Sequence, residues 1–506
     1  MPTTRPRRGD RHRPPRRLLV LAAAVVAVLV AVVIVVVAGG DDRVERPGDH
    51  PLAFDLPSAG ELAGSPRKVF AHYFPPYPIS LDDEPAATDY YTREYLDPDG
   101  EGGVHAAYGG FFRDRPLPRD PHRSGDWELA DMATDVRNAS AAGIDGFTVD
   151  LLGLAGSDYW PTVLLLLQAA EQADPDFTIV LMPDATSPAV DDVDALADAV
   201  AGLAAEFTSL YRLDDGRLVV SPFFAERVGA PWWTRWLEVM STEHDLDVAL
   251  VPCFLTYDAG TADAFAPISH GFSNWGDRSP GAQGDLVVAA AEAHARGKIW
   301  MQPVSMQDQR PAQGLYDEAL NTENLRLTWQ AAVDAADWVQ LTTWNDYSEG
   351  TEFAPSTNIG WGPLDIGAWY LAQFKTGAEP DLVRDVVYVS HRVQFAGAVP
   401  SGQTQLMQLR EGSSPPRDAV EVLSFLTAPA TVRVEVGDEV HRYEAPAGVH
   451  AELLPLAVGR VAAEVERDGD VVTEVASPFE VQADPVVQDV QYRVVSSGRG
   501  TADQLP

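Results

Sequence analysis

From Lys68 onward, short apolar runs alternate with longer stretches in which apolar residues recur every three or four positions. The first pattern predicts buried strands and the second predicts amphipathic helices. Strands are predicted over 68–74, 146–150, 177–182, 217–221, 247–253, 268–272, 299–304 and 338–343. In the helix predicted over 126–142, Trp127, Leu129, Met132, Val136 and Ala139 fall at helical steps. Further helices are predicted over 160–173, 191–211, 232–242, 285–296, 323–336 and 364–376. Strands alternating with helices in this way predict a parallel (β/α)8 TIM barrel over 67–384. Within it, 77–125 is rich in Gly, Pro and aromatics without periodicity, a loop long enough to carry function or small elements of its own. After Arg384 the pattern changes to short alternating segments separated by Gly, Pro or Asp, which predicts an all-β, sandwich-like domain over 385–484. Residues 485–506 read as a polar tail.

The N-terminus follows different rules. Seven arginines within residues 1–17 precede Leu18 to Ala38, a run of 21 residues without charge or proline. That run is long enough to span a bilayer, with the arginines held on the cytoplasmic side. The layout predicts a cytoplasmic basic tail (1–17), a single transmembrane anchor (18–38), a Pro/Gly/acid-rich linker (39–66) and an extracytoplasmic remainder. A cleaved signal peptide, which would give a secreted protein, has a shorter core and a better cleavage site than Gly39-Gly40-Asp41-Asp42.

Composition narrows the function. The 506-residue chain carries a formal net charge of -38, which argues against nucleic acid as a partner. Its single cysteine, Cys253, lies in an apolar run and reads as a core residue; neither an intrachain disulfide nor a cysteine-based zinc site can form. His72, His105, His122, His270 and His294 are scattered without ligand spacing, and no EF-hand pattern occurs. No metal, other cofactor or protein partner is expected.

In barrels the site lies at the carboxyl ends of the strands. Those ends present His72 and Tyr73, Asp150, Asp184, Glu226, Tyr257, Trp275 and Asp277, Gln307, and then Trp344-Asn345-Asp346-Tyr347-Ser348-Glu349. Acids repeated beside aromatics suit a carbohydrate, whose rings stack on flat side chains and whose hydroxyls donate to carboxylates. Glycosidic hydrolysis needs one carboxylic acid to protonate the leaving oxygen and a second carboxylate to activate water or attack. Asp346 and Glu349, three apart beyond the eighth strand, are the expected catalytic pair. Asp184 comes next, while Asp150 and Asp277 are expected to position hydroxyls. His72 is expected either to bind substrate or to cap the barrel interior. Trp344, Trp275 and Tyr73 are expected as sugar platforms, with Asn345, Glu226, Tyr257 and Gln307 beside them. Asp308 and Glu352 read as solvated loop acids, and the competing reading of 344–352 is an ordinary solvated turn.

Val69-Phe70-Ala71-His72-Tyr73, Ala142-Gly143-Ile144-Asp145-Gly146-Phe147, Pro303-Val304-Ser305 and Thr343-Trp344-Asn345-Asp346-Tyr347-Ser348-Glu349 together resemble glycoside hydrolase family 71, the α-1,3-glucanases or mutanases. The resemblance implies a (β/α)8 catalytic domain with an attached β-domain, cofactor-free hydrolysis of α-1,3-glucan with inversion, and Asp346 and Glu349 as the catalytic acids. Ser348 replaces the family's usual Gly, Gly350-Thr351 its usual Ser-His, and Asp150 its usual Asn. These departures leave a related activity, such as on mannan, as an alternative. A non-catalytic envelope glycan-binding protein on the same barrel is the alternative from another class.

Overall fold

The computed structural model describes residues 51–499 apart from Ser124 and Asp285. The predicted basic tail, the anchor over 18–38 and the start of the linker lie outside the described residues, as does 500–506. No helix among the described residues is long and apolar enough to cross a membrane.

The chain begins its parallel sheet with β1 (Lys68–Tyr73), β2 (Gly146–Leu151), β3 (Thr178–Pro183), β4 (Leu218–Val220), β5 (Val248–Leu250), β6 (Cys253–Phe254), β7 (Gly271–Asn274) and β8 (Ile299–Val304). A short antiparallel hairpin, β9 (Asp308–Arg310) and β10 (Leu315–Asp317), follows, and β11 (Trp338–Leu341) returns to the sheet. The nine parallel strands lie in the order β5-β4-β3-β2-β1-β11-β8-β7-β6. The strand predicted over 247–253 is thus split, and its halves stand at the two ends of that order. Pro252 lies at the break and has no N–H to give to the ladder. Single bridges, Leu250 to Ser269 and Phe223 to Cys253, link each half to the other's neighbour, and the sheet is barrel-like.

Alternation along the strands sets the interior. Phe70, Val180, Val219, Ala249, Val251, Met301 and Trp338 form an apolar floor. Two residues on from that floor lie His72 and Met182, in contact through Nδ1 and Sδ at 3.1 Å. Asp184 follows Met182 by the same step, and Asp150 follows Thr148, whose hydroxyl accepts from Gln340 at 3.3 Å. The strands therefore carry apolar groups at one end and acids at the other. Their opposite faces pack on the surrounding helices, including Trp127–Ala141, Trp160–Ala173 and Val193–Glu206. The last begins after Asp192, whose carboxylate accepts from the backbone N–H groups of Asp194 and Ala195.

The long stretch after β1 is ordered by an aromatic cluster, Tyr77, Tyr91, Phe112 and Tyr347, and by the buried ion pair of Arg115 with Asp89 at 2.5 Å. Beyond Asp385, two four-stranded antiparallel sheets face each other. Val387, Val422, Val432, Val434 and Val465 contribute to the core between them. Ala419–Leu426 is buried on both faces because Phe425 turns away from that core to meet Trp369 of the helix Gly362–Thr376, at 5.5 Å between ring centres. Gln408–Leu409, expected in the sandwich, pairs in parallel with β10 instead. Two expectations are corrected. Residues 51–66, expected as linker, bury Leu52, Ala53 and Phe54 and form the helix Ala59–Ala63 capped by Ser58. The predicted tail supplies the sheet strand Arg493–Ser496 and a buried Tyr492, because Tyr492, Val494 and Val495 are apolar enough to join the packing.

Candidate active site

Past β11 the chain turns back within a few residues. Thr343 donates its N–H to Thr351 O at 2.9 Å, and their hydroxyls meet at 3.0 Å. Asp346 N–H donates to the Thr343 hydroxyl at 2.9 Å. Gly350 lies at φ +60°, and a Cβ there would come within 2.8 Å of Gln309 Cγ, so this turn requires glycine. The closure leaves the Asp346 and Glu349 carboxyls on the wall of one pocket of about 350 Å³.

Of the other residues expected at the site, His72, Asp150, Asp184, Trp275 and Asp277 line the same pocket. The other expected residues do not. Trp344 is wholly buried, its Nε1 donating to Asp135 Oδ1 at 3.0 Å and its ring against Phe147. Tyr73 is also wholly buried, its hydroxyl directed at Asp135 and Met132; it lies one position from His72 and so faces the helices. Neither is a sugar platform. Asn345 uses both ends of its amide on Phe74 and Tyr77, pinning the β1 exit to the loop. Glu226 accepts from the N–H groups of Leu255 and Thr256. Tyr257 packs on Trp300 at 5.0 Å. Gln307 pairs with the backbone of Tyr492. These four hold the rim together from behind.

Sequence reasoning missed the cations. Arg278, Arg310 and Arg410 reach the pocket, together with Asp308, Asp317, Phe74 and Phe223. Asp308 is buried rather than solvated. It takes Arg310 Nε at 2.9 Å and Nη2 at 2.6 Å, while Arg310 Nη1 lies 2.6 Å from Glu349 Oε1. Arg410 is drawn in by Asp317 at 2.9 Å. A signal for Arg310 existed: Asp308 and Arg310 are two apart on a strand and share a face. Glu352, also expected in solvent, is buried beneath the loop.

Burial raises Asp346, Glu349, Asp150 and Asp184, each against a different opposing pull. Burial and the neighbouring charge of Asp346 push the Glu349 carboxyl up to about 8, against the pull of Arg310. Burial also raises Asp346, but its Oδ1 accepts from Ser348 N–H at 3.1 Å, Ser348 Oγ at 2.7 Å and Glu349 N–H at 3.2 Å, all of which favour the anion. Asp150 is raised well above the usual range by burial, then by Asp184 and Asp346, and its Oδ1 is buried without a partner. Asp184 is raised by burial and pulled back by Thr186, which donates its N–H and hydroxyl. Burial and the charge of Arg278 push His72 down to about 3, so its ring is neutral. That ring stands edge-on to Trp275 at 4.9 Å. The pocket thus combines buried carboxyls held by different partners, fixed cations and an aromatic wall. No group of His, Cys, Asp and Glu among the described residues is arranged to hold a metal ion.

The chain is similar to known proteins. The family model described as glycosyl hydrolase family 71 matches residues 122–503. A mutanase of Penicillium rubens is 26% identical over 69% of this chain and 80% of its own. The glucan endo-1,3-alpha-glucosidase agn1 of Schizosaccharomyces pombe is 23% identical over 66% of this chain and 82% of its own. Among solved structures, the GH99 endo-alpha-mannosidase from Bacteroides thetaiotaomicron aligns over 60% of this chain and 97% of that one, at 14% identity and a TM-score of 0.47. With a family match that spans most of the barrel-like sheet, the acid loop after β11 and both antiparallel sheets, the chain belongs to glycosyl hydrolase family 71 and is a glycoside hydrolase.

Proposed function

We propose that the enzyme is an endo-acting α-1,3-glucanase built on a (β/α)8 barrel, with Glu349 as general acid and Asp346 as general base. Glu349 gives its proton to the glycosidic oxygen as the bond from the anomeric carbon to that oxygen breaks. Asp346 takes a proton from the water that attacks the anomeric carbon, so the new hydroxyl arrives opposite the departing chain and the configuration inverts. The observation that carries this reading is the contrast between two carboxyls on one short loop. Three donors favour Asp346 as the anion, while burial and Asp346 keep a proton on Glu349 to about pH 8. Support for the linkage comes from the fungal relatives, a mutanase and a glucan endo-1,3-alpha-glucosidase.

The site's departures from the family do not remove this chemistry. Asp150, raised well above the usual range, serves as a neutral hydrogen-bonding group, much as the family's Asn would. The Arg-rich start and uncharged run over 18–38 support an extracytoplasmic catalytic domain; protease accessibility on intact cells tests that placement. For the activity, the enzyme is incubated with α-1,3-glucan, α-1,4-glucan, α-mannan and β-1,3-glucan. Reducing ends and the anomer of the first product are followed by NMR. The reading expects α-1,3-glucan to be cut internally with an inverted first product. Action confined to another polymer, or a retained anomer, would refute it.

A further inference from the structure

A second pocket, of about 190 Å³, opens where the exits of β1 and β2 meet the start of the helix Trp127–Ala141. Trp127, Glu128, Asp158 and Tyr159 line it, with Pro75 and Pro76 as a stiff edge. It adjoins the candidate active site. Phe74 borders the catalytic pocket, and the next two residues of the chain border this one. Tyr77, the buried residue that follows, has its hydroxyl raised chiefly by burial, with Asp346 and Tyr159 among the lesser causes.

The walls are suited to a sugar ring. Tyr159 is 40% exposed although its ring is large and apolar. Arg119 lies over the ring of Trp127, 5.7 Å from its centre, and its guanidinium is committed to Asp131 through two bonds of 2.6 and 2.7 Å. That cation is therefore spent within the protein. The exposed carboxylates Glu128 and Asp158 remain as acceptors beside the rings. Flat apolar surface flanked by acceptors matches a neutral sugar, with its apolar ring faces and donating hydroxyls.

We infer that this pocket is an outer subsite that holds a sugar unit of the same polysaccharide chain whose bond is cut at the catalytic pocket, with Tyr159 as its stacking platform. The inference rests on the glucanase reading and extends it to substrate length. An outer subsite contributes only when the substrate is long enough to reach it, so its loss raises KM for the polymer and not for short pieces.

The test uses the full chain carrying Tyr159→Ala, Tyr159→Phe or Glu128→Gln. Kinetics are measured on α-1,3-glucan and on a short α-1,3-linked oligosaccharide that fills only the catalytic pocket. Loss of one stacked ring is expected to raise KM for the polymer roughly three- to tenfold. In Tyr159→Ala, kcat and the short-substrate kinetics should be unchanged, and Tyr159→Phe should restore the polymer KM. Glu128→Gln should raise the polymer KM less. Equal KM values for wild type and Tyr159→Ala on the polymer overturn the subsite while leaving the activity standing. A proportional loss on both substrates overturns it too, as damage to the fold. Failure of the wild-type chain to cut α-1,3-glucan refutes the glucanase reading itself, and the subsite falls with it.

Discussion

The loop after β11 sends carboxyl groups to two destinations within seven residues. Asp346 and Glu349 face the pocket, among arginines and an aromatic wall. Glu352 turns beneath the loop, where its Oε1 accepts from Gln491 at 2.7 Å and where burial and the neighbouring Asp114 raise its carboxyl. Asp114 in turn accepts from the hydroxyls of Ser356 and Thr357 and the N–H groups of Arg115 and Asn358. Both pairs are buried acids with raised affinity for protons. The first lines an open pocket, where Arg310 is held between Asp308 and Glu349. The second is closed by donors from three parts of the chain, joining the excursion after β1, the acid loop and the last strand. Crowded acids alone therefore do not mark chemistry; access does.

The contrast should survive mutation. Asp346→Asn and Glu349→Gln are each expected to lower kcat on α-1,3-glucan roughly 10²- to 10⁴-fold, the ordinary worth of a general acid or base, with melting temperature nearly unchanged. Asp114→Ala should do the opposite. It strands four donors and costs about 1–3 kcal/mol of stability, seen as a lower urea midpoint with kcat largely kept.

The two pairs should also differ in how pH acts on them. In the proposed mechanism Glu349 works in its protonated form, which its raised value keeps up to about 8; kcat/KM should therefore fall on the alkaline side near that pH. Arg310 pulls Glu349 down, so Arg310→Gln should move the alkaline limb upward. Glu352, raised well above its unfolded value, adds stability that is whole at low pH and is lost as pH rises through its folded value. Glu352→Gln cannot ionise and should flatten the alkaline fall in melting temperature without moving the rate profile. The smallest effect is expected for Asp150→Asn, since an amide replaces a carboxyl already held neutral; kcat/KM should stay within about threefold.

How far all this was legible from sequence depends on which force places each residue. Strands with one wet face announced themselves: the burial of Ala430–Val436 alternates as its sequence does. β8 was found at its full length for the related reason that it is a continuous buried run. The split of the fifth strand was also within reach, since Pro252 lies inside the predicted element. Tyr73 could have been assigned to the core from its parity with His72. Other placements are tertiary. Trp344 is drawn inward by Asp135, more than two hundred residues earlier. Arg278, Arg310 and Arg410 look like surface loop residues until Asp308, Asp317 and Glu349 are brought around them. The strand Arg493–Ser496 is too short to stand out and gains its place only by pairing with Val386–His391.

The division of labour between Glu349 and Asp346 is tested most directly by changing the leaving group. A substrate with an activated leaving group, such as an α-1,3-linked glucosyl fluoride oligosaccharide, departs without needing a proton. Glu349→Gln should then hydrolyse that substrate at close to the wild-type rate while remaining nearly inert on the polymer. Asp346→Asn, which cannot activate water, should be slow on both. Equal loss of both substrates in Glu349→Gln, or full activity of Asp346→Asn on the polymer, would contradict the account.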